Sequence, residues 1–363
     1  MFVKKIKQWN RKKNQYLRRL KLRLVCLLMN TGRRVSPWKP DSVKKILVLR
    51  DDNKIGDMIV STGLFSKLAA AGKHIDVVAG KDNAFIISNL SQIKNIFVYH
   101  PRFSDIFKLG LRLRKEKYDL VLDFGDYISP VYYFFICLIN ARHTLGFNKN
   151  NLPRYDINID YPFVDQHVTK RYKQVITLLT GEQDENYHYL LSIPEQERAA
   201  THAFLSQLAG NKMVVINPFA ARKERNLSPV QVDGMVRFIR SIGPHIDIVL
   251  IGPAQLLATF TVAEGVVKNP GTTFFSAMAC IEKASLVISP DTSWVHVACA
   301  FDKPLIALYG SNVILGGFIN NKVWAPNYPL ARQIITTEDM LSSIPVDDIN
   351  KEIAAMSTFL SSN

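Results

Sequence analysis

From residue 43 onward, apolar runs of strand length alternate with stretches of helix length, and they do so in two separate series. The first series holds "VKKILVLR", "HIDVVAG", "IKNIFVYH" and "YDLVLDFG". The second holds "KMVVINPFA", "IDIVLIGP", "LVISP" and "PLIALYG". Runs this apolar, with no strict polar alternation, suit strands buried on both faces. Helices between them imply parallel sheets covered on each side. The expected class is therefore α/β, with two Rossmann-like halves. Length points the same way, because 363 residues exceed one ordinary core.

The intervening stretches read as helices. One covers about Met58 to Ala71. Another is "SPVQVDGMVRFIRSI", with Ser228 as N-cap and Pro229 at the first helical position. "FFSAMACIEKA" and "TSWVHVACAF" follow the same logic. These signals divide the chain into a basic amphipathic segment over 1–40, a Rossmann-like domain over 41–165, a helical connection over 166–210, a second Rossmann-like domain over 211–335 and a helical segment over 336–363. The last stretch, Thr337 to Leu360, is expected to pack back across both halves. "VSPWKPDS" carries two prolines and reads as a linker after the first helix.

Charge is concentrated at one end. The formal net charge is +15, yet residues 1–40 alone hold thirteen Lys or Arg and no acid, leaving 33 basic against 31 acidic side chains elsewhere. Within "MFVKKIKQWNRKKNQYLRRLKLRLVCLLMN" the residues Ile6, Trp9, Tyr16, Leu20 and Leu27 recur at mostly helical spacing. This is the pattern of a basic amphipathic helix suited to an anionic membrane surface. The structural alternative is a helix packed on its own protein with a solvated charged face. Nucleic acid is not expected as a partner, since no recognised binding module accompanies the helix. The longest apolar run, "VYYFFICLI", is far short of the roughly 18 residues of a membrane span. The four cysteines are widely spaced among apolar neighbours, without CxxC or metal spacing, and read as buried free thiols.

Two stretches carry chemistry. In "KIGDMIVST" the carboxylate of Asp57 follows Gly56 where a strand ends. It could be a helix cap, a ribose hook or a general base. In "LVISPDTSWVHVACAFDKPLIALYG" a strand leads into Asp291, Thr292 and Ser293 at a helix start, with His296 one turn in. Helix N-termini at the carboxyl ends of parallel strands bind anions in this fold class. Asp291 could equally be an N-cap with no further role. No GxGxxG follows the first strand, which disfavours a dinucleotide oxidoreductase.

The second of these stretches resembles the C-terminal motif of glycosyltransferase family 9, the heptosyltransferase family of lipopolysaccharide assembly. "ILVLRDDNKIGDMIVSTGLFSKLAAAG" is similar to the same family's N-terminal motif, "INPFAARKERNLSPVQV" and "IVLIGPAQ" to its central segment, and "GSNVILGGF" to the loop that closes its donor site. The resemblance spans about residues 43 to 335. It implies the GT-B fold, with an N-terminal acceptor domain and a C-terminal donor domain for the nucleotide sugar. It also implies inverting, metal-independent transfer of a sugar, heptose from ADP-heptose above all, onto a lipopolysaccharide core, with no cofactor. Asp57 then matches the general base. Gly56, Lys223, Arg225, Asp291, Thr292, Ser293, His296, Gly310 and Ser311 match donor-binding positions, with either Arg225 or Lys223 on the diphosphate. Arg102, Arg112 and Arg142 are candidate acceptor contacts. The implied partners are the donor, a lipid-linked core acceptor and, through residues 1–34, an anionic membrane surface; the implied place is the cytoplasmic face of the bacterial inner membrane. Departures from the pattern are Gly63 for a frequent Pro, Ser293 for Gly, Gln255 for an acid and Leu227 for Trp. They leave open transfer of a hexose or N-acetylhexosamine, or a non-catalytic nucleotide-sugar-binding protein.

Overall fold

The computed structural model describes residues 2–30, 35–183, 186–261, 263–314 and 316–361. Arg33, Arg34 and Leu315 lie outside the described residues, as do the side chains of Lys4, Lys5, Ile6, Lys7, Arg11 and Lys12. The chain divides into two compact units. One comprises Met1–Lys54, Leu64–Pro162 and Lys173–Glu185; the other comprises Ile55–Gly63, Phe163–Tyr172 and Asn186–Asn363.

The first unit contains β1 (Lys45–Arg50), β2 (His74–Gly80), β3 (Asn95–Tyr99), β4 (Leu120–Asp123), β5 (His143–Phe147) and β6 (Ile157–Ile159). Its helices are α1 (Phe2–Asn30), the C-terminal part of α2 (Ile55–Ala70) from Leu64 onward, α3 (Phe103–Lys115) and α4 (Pro130–Ile139). The strands pair in parallel in the order β3-β2-β1-β4-β5-β6. This is the doubly wound order, with its reversal between β1 and β4. Helix α4 is the "VYYFFICLI" run. Ser129 caps it by accepting from the Tyr132 N–H at 3.0 Å, and Asn140 ends it at φ 53°. Its face packs with α3 and β1 around Leu47, Ile106, Leu113, Phe135 and Ile136. Among the described residues, no helix is long and apolar enough to cross a membrane.

Helix α1 combines features of both readings drawn from its sequence. Leu22, Val25, Cys26 and Met29 pack against the apolar cluster of the first unit. Trp9, Tyr16, Leu20, Leu24, Leu27 and Leu28 are instead exposed. The C-terminal half of the helix is therefore part of the unit's packing, while a second apolar face remains in water.

Two helices, α5 (Thr169–Thr180) and α6 (Glu195–Leu205), occupy the expected helical connection. The residues described between them are not helical. The second sheet is built from β7 (Lys212–Ile216), β8 (Ile246–Leu250), β9 (Val266–Lys268), β10 (Leu286–Pro290), β11 (Leu305–Gly310) and β12 (Ala331–Thr336). Around it lie α7 (Pro229–Ile242), α8 (Ala254–Thr259), α9 (Phe274–Lys283), α10 (Ser293–Ala300), α11 (Asn320–Val323) and α12 (Val346–Ala355). The order β12-β11-β10-β7-β8-β9 repeats the first topology, with its reversal between β7 and β10. At the start of α7, Ser228 and Gln231 form a reciprocal capping box.

The C-terminal stretch departs from expectation. It is a 3-10 turn over Leu341–Ser343, then α12, then a second 3-10 turn over Ser357–Phe359. Leu341, Ile344, Ile349, Ile353, Met356 and Leu360 join Val232, Met235 and Ile239 of α7 in the core of the second unit. Pro345 interrupts the helical pattern because the residue before a proline is driven out of the α region.

Candidate functional site

Polar groups of the second unit gather outside the carboxyl ends of β7 and β10, where the strand order reverses. Ligands bind at such points in open α/β sheets. Asn217 follows β7 and is 1% exposed. Its Nδ2 donates to the Phe219 carbonyl at 2.8 Å and to Ser289 Oγ at 3.1 Å. Ser289 Oγ in turn lies 3.1 Å from Thr292 Oγ1. Thr292 is the N-cap of α10, its Oγ1 accepting from the Trp294 N–H at 3.3 Å. The capping role left open for Asp291 thus falls to Thr292.

Asp291 does something else. Its Oδ2 accepts from Arg225 Nη1 at 2.6 Å and from Asn320 Nδ2 at 2.6 Å. Burial pushes its carboxyl up, and Arg225 and Asn320 pull it back. Arg225 closes the short 3-10 turn Lys223–Arg225, and pairing with Asp291 holds its guanidinium at the motif. Lys223, in the same turn, is exposed and has no ion-pair partner among the described residues. Gly310 ends β11, and Ser311 donates its N–H to the Thr336 carbonyl at 2.9 Å, which fixes the start of the "GSNVILGGF" loop.

His296 is 5% exposed, with Tyr189 and Trp324 edge-on at 6.0 Å each. Burial, aided by His167, pushes its pKa down to about 3. At neutral pH the imidazole is uncharged. It can donate or accept a hydrogen bond but supplies no positive charge to a phosphate.

The first turn of α2 belongs to this unit. Lys54 holds its N-cap position, so Asp57 sits inside the first turn rather than at the cap. A methyl group on Gly56 would lie 3.0 Å from His296 Cδ2 and 3.7 Å from Ser293 Cα. The backbone beside Asp57 is therefore in direct contact with the start of α10. Gly63 has a similar origin, since a Cβ there would meet the His188 carbonyl at 2.6 Å and the Tyr187 ring at 2.7 Å. Leu227 is 3% exposed within the core of the second unit.

Arg102, Arg112 and Arg142 are exposed residues of the first unit. Arg112 lies over the Phe97 ring, and Arg142 pairs with Asp119 at 3.8 Å. None of the three lines a cavity that lies in the same unit. That cavity, of about 300 Å³, opens outside the carboxyl ends of β1 and β4 and is walled by Tyr99, Tyr127 and Tyr132 around Asp51 and Asp52. Neither this cavity nor Asn217, Ser289 and Asn320 was foreseen from sequence. Only the position of Asn217, in "INPF" directly after a strand, carried a signal. Among the described residues, no group of three or more His, Cys, Asp or Glu is placed to hold a metal ion.

Comparison with known proteins identifies the family and the fold. The model of "Glycosyltransferase family 9 (heptosyltransferase)" matches residues 106–315, more than half of the chain. The matched stretch includes the Asp291 motif and begins after Asp57. A putative lipopolysaccharide heptosyltransferase 4 from Escherichia coli K12 is 24% identical over 355 residues, 96% of this chain and 97% of that protein. A family 9 glycosyl transferase structure from Veillonella parvula superposes with a TM-score of 0.74 at 18% identity, covering 89% of this chain and 99% of the other. The structure of an E. coli ADP-heptose lipopolysaccharide heptosyltransferase II gives 0.67 at 20% identity, covering 87% and 98%. These superpositions establish the GT-B fold.

Proposed function

This chain belongs to glycosyltransferase family 9, and from that premise we propose that it moves heptose from ADP-heptose onto a sugar of a lipopolysaccharide core, with Asp57 as general base. The single observation that carries this reading is the contact of Gly56 with His296 and Ser293, which holds the backbone next to Asp57 against the donor motif.

The chemistry follows from the residues. An acceptor hydroxyl attacks the anomeric carbon as Asp57 takes its proton. The bond from that carbon to the β-phosphate oxygen breaks, and ADP leaves with the electron pair. One displacement inverts the centre. Negative charge gathering on ADP meets Lys223, Arg225 and the N–H groups that open α10. Asp291 orients Arg225, whose planar fork suits a diphosphate. His296 is neutral and contributes hydrogen bonding and shape.

Helix α1 sets the place of reaction in this reading. Its exposed Trp9 and Tyr16 and its exposed Lys13, Arg19, Lys21 and Arg23 suit the anionic inner face of the bacterial inner membrane, where a lipid-linked acceptor would be met.

The test is donor screening by mass spectrometry with a deacylated, truncated core oligosaccharide as acceptor. ADP-heptose should yield a product one heptose heavier. Asp57→Asn should keep ADP binding and lose about 10²- to 10⁴-fold in turnover. Product from a UDP-hexose or UDP-N-acetylhexosamine alone would replace the heptose reading. Near-normal turnover by folded Asp57→Asn would remove the base.

A further inference from the structure

The cavity of the first unit occupies the place in its sheet that the Asp291 motif occupies in the second. Each lies at the reversal of an identical strand order, β1 against β4 and β7 against β10. We propose that this cavity holds an uncharged, hydroxyl-bearing sugar ring of the acceptor, with Asp51 accepting hydrogen bonds from its hydroxyls and Tyr99 and Tyr127 flanking its faces. The proposal rests on the acceptor being a saccharide, as argued above, and adds the chemistry of the ring recognised.

The charges select the occupant. Arg50 pairs with Asp52 at 3.3 Å, and Lys149 pairs with Asp123 at 3.3 Å. Asp51 is left as the charge with no ion-pair partner among the described residues; its side-chain partner is Tyr132, whose hydroxyl donates at 2.8 Å. That phenol keeps its proton, because burial and the charge of Asp51 push its pKa well up. A phosphate or acidic sugar would meet an uncompensated carboxylate and be repelled. Vicinal hydroxyls, as donors, satisfy it.

The walls select shape. Three tyrosines give apolar faces with polar rims, the surface that a ring with C–H faces and hydroxyl edges needs. The Tyr127 wall is braced from α1. The Arg18 guanidinium lies over the Tyr127 ring at 3.4 Å, and its Nη2 donates to the Ile128 carbonyl at 3.0 Å. Arg18 is thus a positioning residue for the cavity.

Asp51 also provides a distinctive readout. Burial pushes its pKa up to about 6, the charges of Asp123 on β4 and neighbouring Asp52 add to this, and the Tyr132 bond from α4 opposes it. Tyr99 of β3 faces the same carboxyl, and its own pKa is raised by burial and by Asp51. The accepting carboxylate is present above pH 6 and lost as pH falls through it. Saccharide binding should weaken in the same window, by up to about tenfold between pH 7.5 and 5.

The experiment compares wild type, Asp51→Asn and Tyr99→Ala in the full chain. Titration calorimetry measures a deacylated core oligosaccharide, enzymatically dephosphorylated, and ADP as an independent ligand. Asp51→Asn removes a charge that burial disfavours, so it should fold at least as stably as wild type. Both variants should bind the saccharide at least tenfold more weakly and raise its KM, with kcat at saturation within about threefold and ADP binding unchanged. Wild-type binding should follow the Asp51 titration, and Asp51→Asn binding should be flat in pH. Undiminished binding by Asp51→Asn, a flat wild-type pH profile, or tighter binding of the phosphorylated saccharide overturns the assignment. Heptose transfer is scored separately. Asp51-dependent binding without heptose transfer leaves the cavity standing and removes the donor reading. Heptose transfer with unchanged KM in Asp51→Asn does the reverse.

Discussion

Gly56→Ala tests whether the start of α2 is positioned by contact with His296. Two effects oppose each other. Alanine favours a helix by up to about 1 kcal/mol over glycine in an interior position, and less in a first turn. The added methyl lies 3.0 Å from His296 Cδ2 and 3.5 Å from Nε2, where carbon contacts settle at about 3.5–4 Å. About half an ångström must be found. His296 cannot easily swing, because it is buried with the Tyr189 and Trp324 rings packed edge-on against it. Overpacking of this kind costs about 1–3 kcal/mol. The balance is a loss of about 0–3 kcal/mol, relieved most readily by retreat of the α2 start. That retreat carries Asp57, the proposed base, with it, and displacement of such a group by ~1 Å can cost about 100-fold. The expected result is a small change in Tm with a fall in kcat of about tenfold or more. The decisive assay is a double-mutant cycle with His296→Ala, which removes the clash. In that background Gly56→Ala should be nearly silent, giving a coupling of about 1 kcal/mol or more. Equal effects of Gly56→Ala in both backgrounds would refute the reasoning.

Two further outcomes follow. Turnover should persist in excess EDTA if, as proposed, Lys223, Arg225 and the α10 N–H groups take the diphosphate charge; loss of activity restored by magnesium or manganese would contradict this. Replacing Lys13, Arg19, Lys21 and Arg23 by Gln should reduce sedimentation with anionic liposomes at least tenfold near 0.15 M salt, as each basic residue near the surface contributes about 1 kcal/mol. Substitution is preferable to truncation because Leu22, Val25, Cys26 and Met29 belong to the packing of the first unit. Equal sedimentation of both proteins would remove the membrane role from α1.

The central strands were legible because each is a continuous apolar run. The strands missed were β5, β6, β9 and β12, which lie at or next to the sheet edges. β6 and β9 span only Ile157–Ile159 and Val266–Lys268, too short for any period to register. β12, "ARQIIT", is broken by polar residues because an edge strand is only half covered. β5 begins with His143, 1% exposed, which reads as polar until Asp156 is seen bonded to its Nδ1 at 2.6 Å. Helix α4 is a continuous apolar run without helical period, and only Ser129 and Pro130 mark its start.

The two switch points differ in legibility for a physical reason. Around Asp291 the chemistry is local: Ser289, Thr292, Ser293 and His296 fall within eight residues on one strand–helix turn, so order along the chain implies proximity. What sequence could not supply there was the remote pairing, Arg225 and Asn320 on one carboxylate oxygen, which decides that Asp291 orients a cation and leaves capping to Thr292. Around Asp51 almost everything is remote. In sequence it is one acid of "RDDN", indistinguishable from a solvated surface charge. Its character depends on Tyr132, 81 residues away, and on Asp123 being paired with Lys149 while Asp51 has no ion-pair partner among the described residues. A carboxyl group becomes a recognition element through burial and unequal pairing, and both are properties of tertiary packing that local sequence does not contain.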